Sequence, residues 1–323
     1  MNESHNNESH NNNNEKIFDN AQAETPIGGP AYADPAGDYL VRATALNDQV
    51  RLVGIRSTEL CREAMQIHDL SPSATVALGR LMTGVLMLTP DLDKPEHSVT
   101  AVIRSDGPIG GLTVVGQSEG RVRGLVLEPH VPTLYRDAGK LDISGVVGQG
   151  RLTVIRDFGH SEPYVGHVNL VSGEIAEDLT SYLAISEQVP TVMALCVSLD
   201  QTGVKYAGGY MMQLLPGAED TLAERLEARV AGFPDVSELF AQGFNPHHFL
   251  DLLMGDPGIK YHDVITCSYD CNCSRERMLR NLIALGSEEL GEMSEDPQGV
   301  ELVCHFCDGK YHFSQEELRE ILA

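Results

Sequence analysis

Five of the chain's seven cysteines fall in two short stretches near the C-terminal end, TCSYDCNCSRERM and LVCHFCDGKYHF. One residue separates Cys271 from Cys273, two separate Cys304 from Cys307, and 30 residues lie between the pairs. Two close-set thiol pairs from two chain segments are the arrangement of a tetrahedral zinc site with four cysteine ligands. The second pair is the more typical half. Asp308-Gly309 follows it, where glycine permits a tight turn that aims backbone N–H groups at sulfur, and the apolar run VELV precedes it. Ser274 is placed to cap a helix running through Leu285 and stopping at Gly286, and Ser314 with Glu317 makes a capping box for a last helix. A module this small normally needs a staple, which zinc supplies.

Cysteines this close in sequence also lie within reach of a disulfide, whose Cα atoms stand ~4.4–6.8 Å apart, so each pair can either ligate metal or bridge to its own partner. Zinc holds sulfur as thiolate, the form that oxidants attack, and Arg275, Arg277 and Lys310 lie nearby in sequence. Oxidation that expels the metal removes the ~10–16 kcal/mol with which structural zinc supports small domains, and the module is then expected to unfold.

The net charge of −24 repels phosphate backbones. Residues 261–323 carry five Lys/Arg against thirteen Asp/Glu, which weighs against a zinc-ribbon nucleic-acid binder. No apolar run approaches the ~18–20 residues of a membrane span, and the N-terminus lacks the basic-then-apolar pattern of a secretory signal. The expected address is the cytosol, where clustered cysteines mean metal or redox chemistry more often than structural disulfides.

Residues 1–37 begin with a twice-repeated NESHN and continue through a Pro/Gly/Ala stretch, the composition of a disordered tail in which His5 and His10 are solvated. From Asp38, YLVRATALNDQVRLVGI reads as two strands joined at Asn47-Asp48. Helices are expected over Glu59–Met65 and after Ser71-Pro72, where Ala74, Ala77, Leu78, Leu81, Met82 and Val85 share a face. SVTAVI, GLTVV and VRGLVL form a meander, and KLDISGVV and RLTVIR read as further strands. A helix over Glu177–Glu187 and strands over Val192–Leu199 and Gly208–Leu215 complete an α+β core domain, residues 38–217. Pro216-Gly217 ends it, and residues 218–260 carry three short amphipathic patterns with Gly232, Gly243 and Gly255 as stops. Helices this short are marginal in water, so this linker is conditional structure. Residues 261–323 are the small C-terminal zinc-binding domain that carries the two cysteine pairs.

The cysteine spacing, together with YLVRA, STELCREAMQIHD, ALGRLMTGVLM, GPIGGL, GKLD, SGEIAEDLTSYLAISEQVP and GGYMMQLLPGA in order, resembles the heat-shock protein 33 family of redox-regulated chaperones over nearly everything from Asp38 onward. The resemblance implies one zinc ion held by Cys271, Cys273, Cys304 and Cys307 in a reduced, inactive form. It implies that oxidation forms the disulfides Cys271–Cys273 and Cys304–Cys307, releases zinc, and unfolds the redox-switch domain and then the linker. It implies an ATP-independent holdase for unfolded or oxidatively damaged client proteins that dimerises on activation. Cys267 is a departure from the family pattern, an extra thiol able to substitute as a ligand or to scramble the disulfides, and the tail is another.

Among other readings, a thiol-disulfide oxidoreductase built on CHFC lacks a βαβ context, and four thiolates deny a zinc hydrolase its open coordination position. GVVGQG over Gly145–Gly150 reads as a hairpin turn between two strands, not a nucleotide loop. His160-Ser161 has no partner constellation, His247-His248 falls at the exposed start of a linker helix, and Cys61 and Cys196 read as buried small hydrophobes. No catalytic residues are expected.

Overall fold

The computed structural model describes residues 32, 34–136, 140–159, 162–219, 221–255 and 258–322. The expectations for His5, His10 and His160-Ser161 lie outside the described residues.

Two sheets, antiparallel except for the β11–β5 pair, organise the core. The first has the order β10-β1-β2-β9-β8, from β1 (Tyr39–Ala45), β2 (Val50–Arg56), β8 (Thr191–Asp200), β9 (Gly203–Leu214) and β10 (Lys260–Thr266). The second has the order β11-β5-β4-β3-β6-β7, from β3 (Ser98–Ser105), β4 (Gly111–Gln117), β5 (Arg121–Val126), β6 (Gly150–Asp157), β7 (Tyr164–Asn169) and β11 (Ser268–Tyr269), which joins β5 in parallel. Helix α1 (Thr58–Ile67) leads into α2 (Pro72–Met87), which lies between the sheets, against β4 and β5 on one side and β8 and β9 on the other. All of α2 except Pro72 and Arg80 is buried, which goes beyond the single apolar face expected from sequence. Small residues permit this two-sided contact, since a Cβ on Gly79 would stand 3.0 Å from Cys61 Sγ.

KLDISGVV contradicts its expected strand. Ile143–Val147 is a one-turn helix, α3, because the Asp142 carboxylate accepts the N–H of Gly145 at 3.0 Å and competes successfully with strand pairing. The GVVGQG segment is therefore a helix-to-strand turn rather than a hairpin, with Gly148 at φ +75° after α3. Helix α4 (Ala176–Ile185) packs against β8.

The alternation of strands β1, β2 and β9 divides the first sheet between two cores. Leu40, Val53, Ile55 and Met211 face the large core around α2, while Val41, Leu52, Tyr210 and Met212 face the other way. That second face is covered by the linker helices α5 (Leu222–Ala231), α6 (Val236–Ala241) and α7 (Pro246–Met254) through Leu226, Leu239, Phe249, Leu250 and Leu253. Contact is close where α7 crosses β2, for a Cβ on Gly54 would lie 2.9 Å from the Pro246 carbonyl oxygen. His247 begins α7 as expected but is buried, 5% exposed, where an exposed position was expected.

Residues 260–269 divide between linker and zinc module in the sequence yet form strands of the core, with β10 on the edge of β1 and β11 beside β5. Beyond Tyr269 the chain builds a small unit of α8 (Arg275–Leu285), α9 (Ser287–Met293), the ribbon β12 (Val300–Val303) with β13 (Lys310–Phe313), and α10 (Gln315–Leu322). Its own core, among the described residues, holds four buried side chains, Leu282, Leu290, Phe313 and Leu318. Both expected caps are present. Ser274 Oγ accepts from Arg277 N at 3.3 Å, Ser314 Oγ accepts from Glu317 N at 3.3 Å, and Glu317 accepts from Ser314 N at 2.8 Å.

Two truncations separate the two cores. Leu78→Ala on α2 should cost ~2–5 kcal/mol of global stability in urea unfolding. Leu250→Ala on α7 should instead shorten hydrogen-exchange protection in residues 246–254 while leaving β3 and β4 protected.

Candidate metal centre

Four sulfur atoms, those of Cys271, Cys273, Cys304 and Cys307, lie within 4.8 Å of one another. The first pair sits between β11 and α8, and the second sits in the turn joining β12 to β13. Cys304 N donates to Gly309 O at 2.9 Å, and the N–H groups of Cys307 and Asp308 return to Cys304 O at 3.2 and 2.8 Å, closing a knuckle. The residue with positive φ in this turn is Asp308, at +55°, rather than the expected Gly309. Glycine at 309 leaves room, because a Cβ there would stand 3.3 Å from Cys307 Sγ. The backbone of Gly309 acts on the Cys307 sulfur, and that of Cys273 on the Cys271 sulfur, in the direction that favours thiolate, one such influence in each pair.

Burial raises the Cys307 thiol to about 11 and raises Cys271 as well. Burial acts in the same direction on Cys273, but its hydrogen bonds with Tyr311 and the neighbouring thiols hold it below the usual thiol range. Without a cation, this crowding opposes four thiolates, whereas a central divalent ion makes thiolate the favoured form. The spacing suits one. Tetrahedral Zn–S bonds of ~2.3 Å put sulfurs ~3.8 Å apart, and here Cys271–Cys304 and Cys273–Cys307 stand at 3.6 and 3.3 Å. These short contacts run between the pairs rather than within them, as expected for a closed cluster, so proximity alone selects no disulfide pairing.

Cys267 is not part of the cluster. Its side chain belongs to the main core, 5% exposed, its N–H donates to Asp38 O at 2.9 Å, and its thiol is pushed up to about 12, first by burial and then by Asp38. A substitute-ligand role for it is therefore not what the fold supports. Cys61 and Cys196 are buried, and burial raises both thiols, Cys196 to about 12.

Of the basic residues near the cluster in sequence, Arg275 and Lys310 are engaged away from it, and Arg277 lies beside the first cysteine pair. Arg275 binds Glu317 and lies over the Phe313 ring, Arg277 donates to Asn272 O at 3.1 Å, and Lys310 pairs with Glu301 at 3.2 Å. A further cation, Arg123 of β5, lies over the Phe306 ring at 5.2 Å and interacts electrostatically with Cys271 and Cys304, which sequence reasoning missed. Tyr269 was missed too. Its hydroxyl lies 2.9 Å from Gly124 O on β5, 3.1 Å from His68 Nε2 and against Phe306 O, seating the knuckle on the second sheet. Tyr311 places its hydroxyl 3.1 Å from Cys273 Sγ. None of these three has a local sequence signal, since each reaches the cluster through tertiary packing.

The model of the Hsp33 protein family matches residues 38–314. The 33 kDa chaperonin of Ruminiclostridium cellulolyticum is 47% identical over 286 residues, 88% of this chain and 98% of that protein. That of Acetivibrio thermocellus is 46% identical over 88% and 97%. The crystal structure of the 33 kDa chaperonin from Thermotoga maritima, 37% identical, superposes with a TM-score of 0.80 over 88% of this chain and 97% of its own. Matched along all three regions that hold the sheets, their helical cover and the four converging cysteines, the chain belongs to the Hsp33 family.

Proposed function

We propose that the chain is a redox-regulated, ATP-independent holdase whose client-binding surface is the second apolar face of its first sheet together with the apolar sides of α5, α6 and α7. Family membership makes it a chaperone rather than an enzyme. The observation that carries the mechanism is the cover on that face. Val41, Ala43, Val50, Leu52, Tyr210 and Met212 are buried beneath three helices of ten, six and nine residues, which lead through β10 and β11 straight into the cysteine cluster.

In the reduced state Cys271, Cys273, Cys304 and Cys307 hold one zinc ion, which supplies the attraction that keeps four thiolates together. The four buried side chains of the C-terminal core contribute ~1.5–3 kcal/mol each on burial, against ordering entropy of ~1–2 kcal/mol for every residue fixed, so the metal decides whether that unit folds. Oxidation by two equivalents of peroxide removes four electrons. Sulfur–sulfur bonds form within Cys271–Cys273 and Cys304–Cys307, and each peroxide takes up two protons and leaves as two waters. The disulfide sulfurs no longer carry the charge that binds the cation, which leaves.

Unfolding of the cysteine unit removes the Tyr269–Phe306 and Arg123–Phe306 contacts and loosens the end of the linker. Helices of six to ten residues are not stable alone, so α5 to α7 melt once they leave the sheet. The exposed face then captures unfolding proteins, two activated copies associate, and the net charge of −24 keeps the complex in solution. The cytoplasm, where thiols are reduced until stress, is the compartment in which such a device is useful.

Peroxide under mildly unfolding conditions should release zinc and suppress client aggregation in parallel. Zinc retention, or a reduced form equally active as a holdase, would overturn the mechanism. Peptide mass mapping of the oxidised protein should find Cys271 joined to Cys273 and Cys304 to Cys307, whereas bridges between the pairs as the main product would reject this pairing.

A further inference from the structure

The end of the expected tail is tied to the linker. Tyr32 stacks on His247 of α7, with ring centroids 4.2 Å apart and planes 10° from parallel, and its hydroxyl donates to Asp251 Oδ2 at 2.8 Å. Asp34 Oδ1 lies 2.9 Å from His247 Nδ1. A carboxylate only accepts, so Nδ1 carries the hydrogen in this contact. The other oxygen, Asp34 Oδ2, accepts from Asn245 Nδ2. Asn245 is the cap of α7, with Oδ1 accepting from His248 N at 2.9 Å, so Asp34 fixes the orientation of the amide that caps the helix. It also sets a negative charge at the helix N-terminus, where the peptide dipoles favour one.

The segment is anchored at its far side as well. Arg56 of β2 donates to the backbone carbonyls of Pro35 and Gly37 and lies over the Tyr39 ring at 5.2 Å. Beneath it, Tyr261 of β10 donates to Asp251 Oδ1 at 2.7 Å, so Asp251 is shared between the N-terminal segment and the strand that leaves the linker. Tyr32 and Asp34 thus sit on the first turns of α7, and Pro35 and Gly37 are tied to the sheet. The family match begins at residue 38, so Tyr32 and Asp34 lie outside what the family model describes.

We propose, building on the linker release put forward above, that Tyr32 and Asp34 form an inhibitory strap that holds α7 against β1 and β2 and raises the barrier to uncovering the client-binding face. The strap acts on the cover and not on the metal, since its contacts among the described residues are to α7, β2 and β10 rather than to the four cysteines. Oxidation of the cluster and release of the strap are then separate conditions on the same helix.

The test uses the full-length, zinc-loaded, reduced protein and the variants Asp34→Ala and Tyr32→Ala, followed by hydrogen exchange with mass spectrometric readout. Amides of residues 246–254 should exchange about tenfold faster in each variant, a change of ~1.4 kcal/mol in local opening, with β3, β4 and zinc content unchanged. After peroxide treatment the variants should reach holdase activity sooner than the parent protein at the same rate of zinc release. Unchanged exchange in 246–254 overturns the strap, as does faster exchange spread equally over β3 and β4. If residues 246–254 of the parent protein keep their protection after oxidation and zinc loss, the linker-release mechanism fails while the strap, read in the reduced state, stands or falls on its own result.

Discussion

Strands β1, β2 and β9 are apolar on both faces, and the rest of the molecule depends on that. Side chains alternate across a strand, so a sheet with one face in solvent would place polar residues at every second position. Here Leu40 and Val41, Leu52 and Val53, and Tyr210, Met211 and Met212 are all buried, on alternate sides. Both faces therefore need a cover. The first receives α2, a long helix buried almost all round and shared with a second sheet. The second receives three short helices that depend on the sheet and on restraints at their ends. One face is committed permanently, and the other is closed by elements that can leave.

The route from those helices to the cysteines is short and structural. The chain leaves α7, adds β10 to the edge of β1, passes Cys267 in the core, pairs β11 with β5, and reaches Cys271 two residues after Tyr269. The cysteine unit is consequently seated on the second sheet, while the linker is seated on the first. Arg123 and Tyr269 belong to that seat, and both touch the same residue, Phe306, inside the second cysteine pair. Any change in the knuckle between Cys304 and Cys307 is felt first at a contact with the core.

Local signals in the sequence were legible where the physics is local. The paired cysteines, the two helix caps at Ser274 and Ser314, the hairpin at Asn47-Asp48 and the meander of β3 to β5 all depend on neighbours a few residues away. Asp142 is the instructive miss. Its side chain captures one backbone N–H and turns an apparent strand, ISGVV, into a helix that no hydrophobic periodicity marks. Strands β10 and β11 were hidden for the opposite reason, because their stability comes from partners far away in sequence, in β1 and β5. His247 was read as exposed since nothing in FNPHHFL announces that Tyr32, Asp34 and Tyr261 close around it. The cluster itself was found from spacing, but its surroundings were not, as Arg123, Tyr269 and Tyr311 approach sulfur only after two sheets and a ribbon have formed.

The two ends of the linker cover are held by different chemistry, and the difference has a consequence for how it opens. Toward the cysteines the restraint is a cluster that either binds metal or does not, so on the proposed mechanism its failure is abrupt and set by oxidant. At the start of α7 the restraint is a ring stack, a capped amide and a carboxylate, each worth on the order of 1 kcal/mol and each able to re-form. A cover fixed only at the first kind of anchor would open whenever zinc is lost. With the proposed strap added as the second kind, loss of zinc lowers the barrier, and heat or another mild unfolding stress is then needed to lift α7 from β2. Oxidation and unfolding stress together are the condition under which client proteins themselves begin to expose apolar surface, so on the proposed mechanism the cover yields when there is something for the uncovered face to bind.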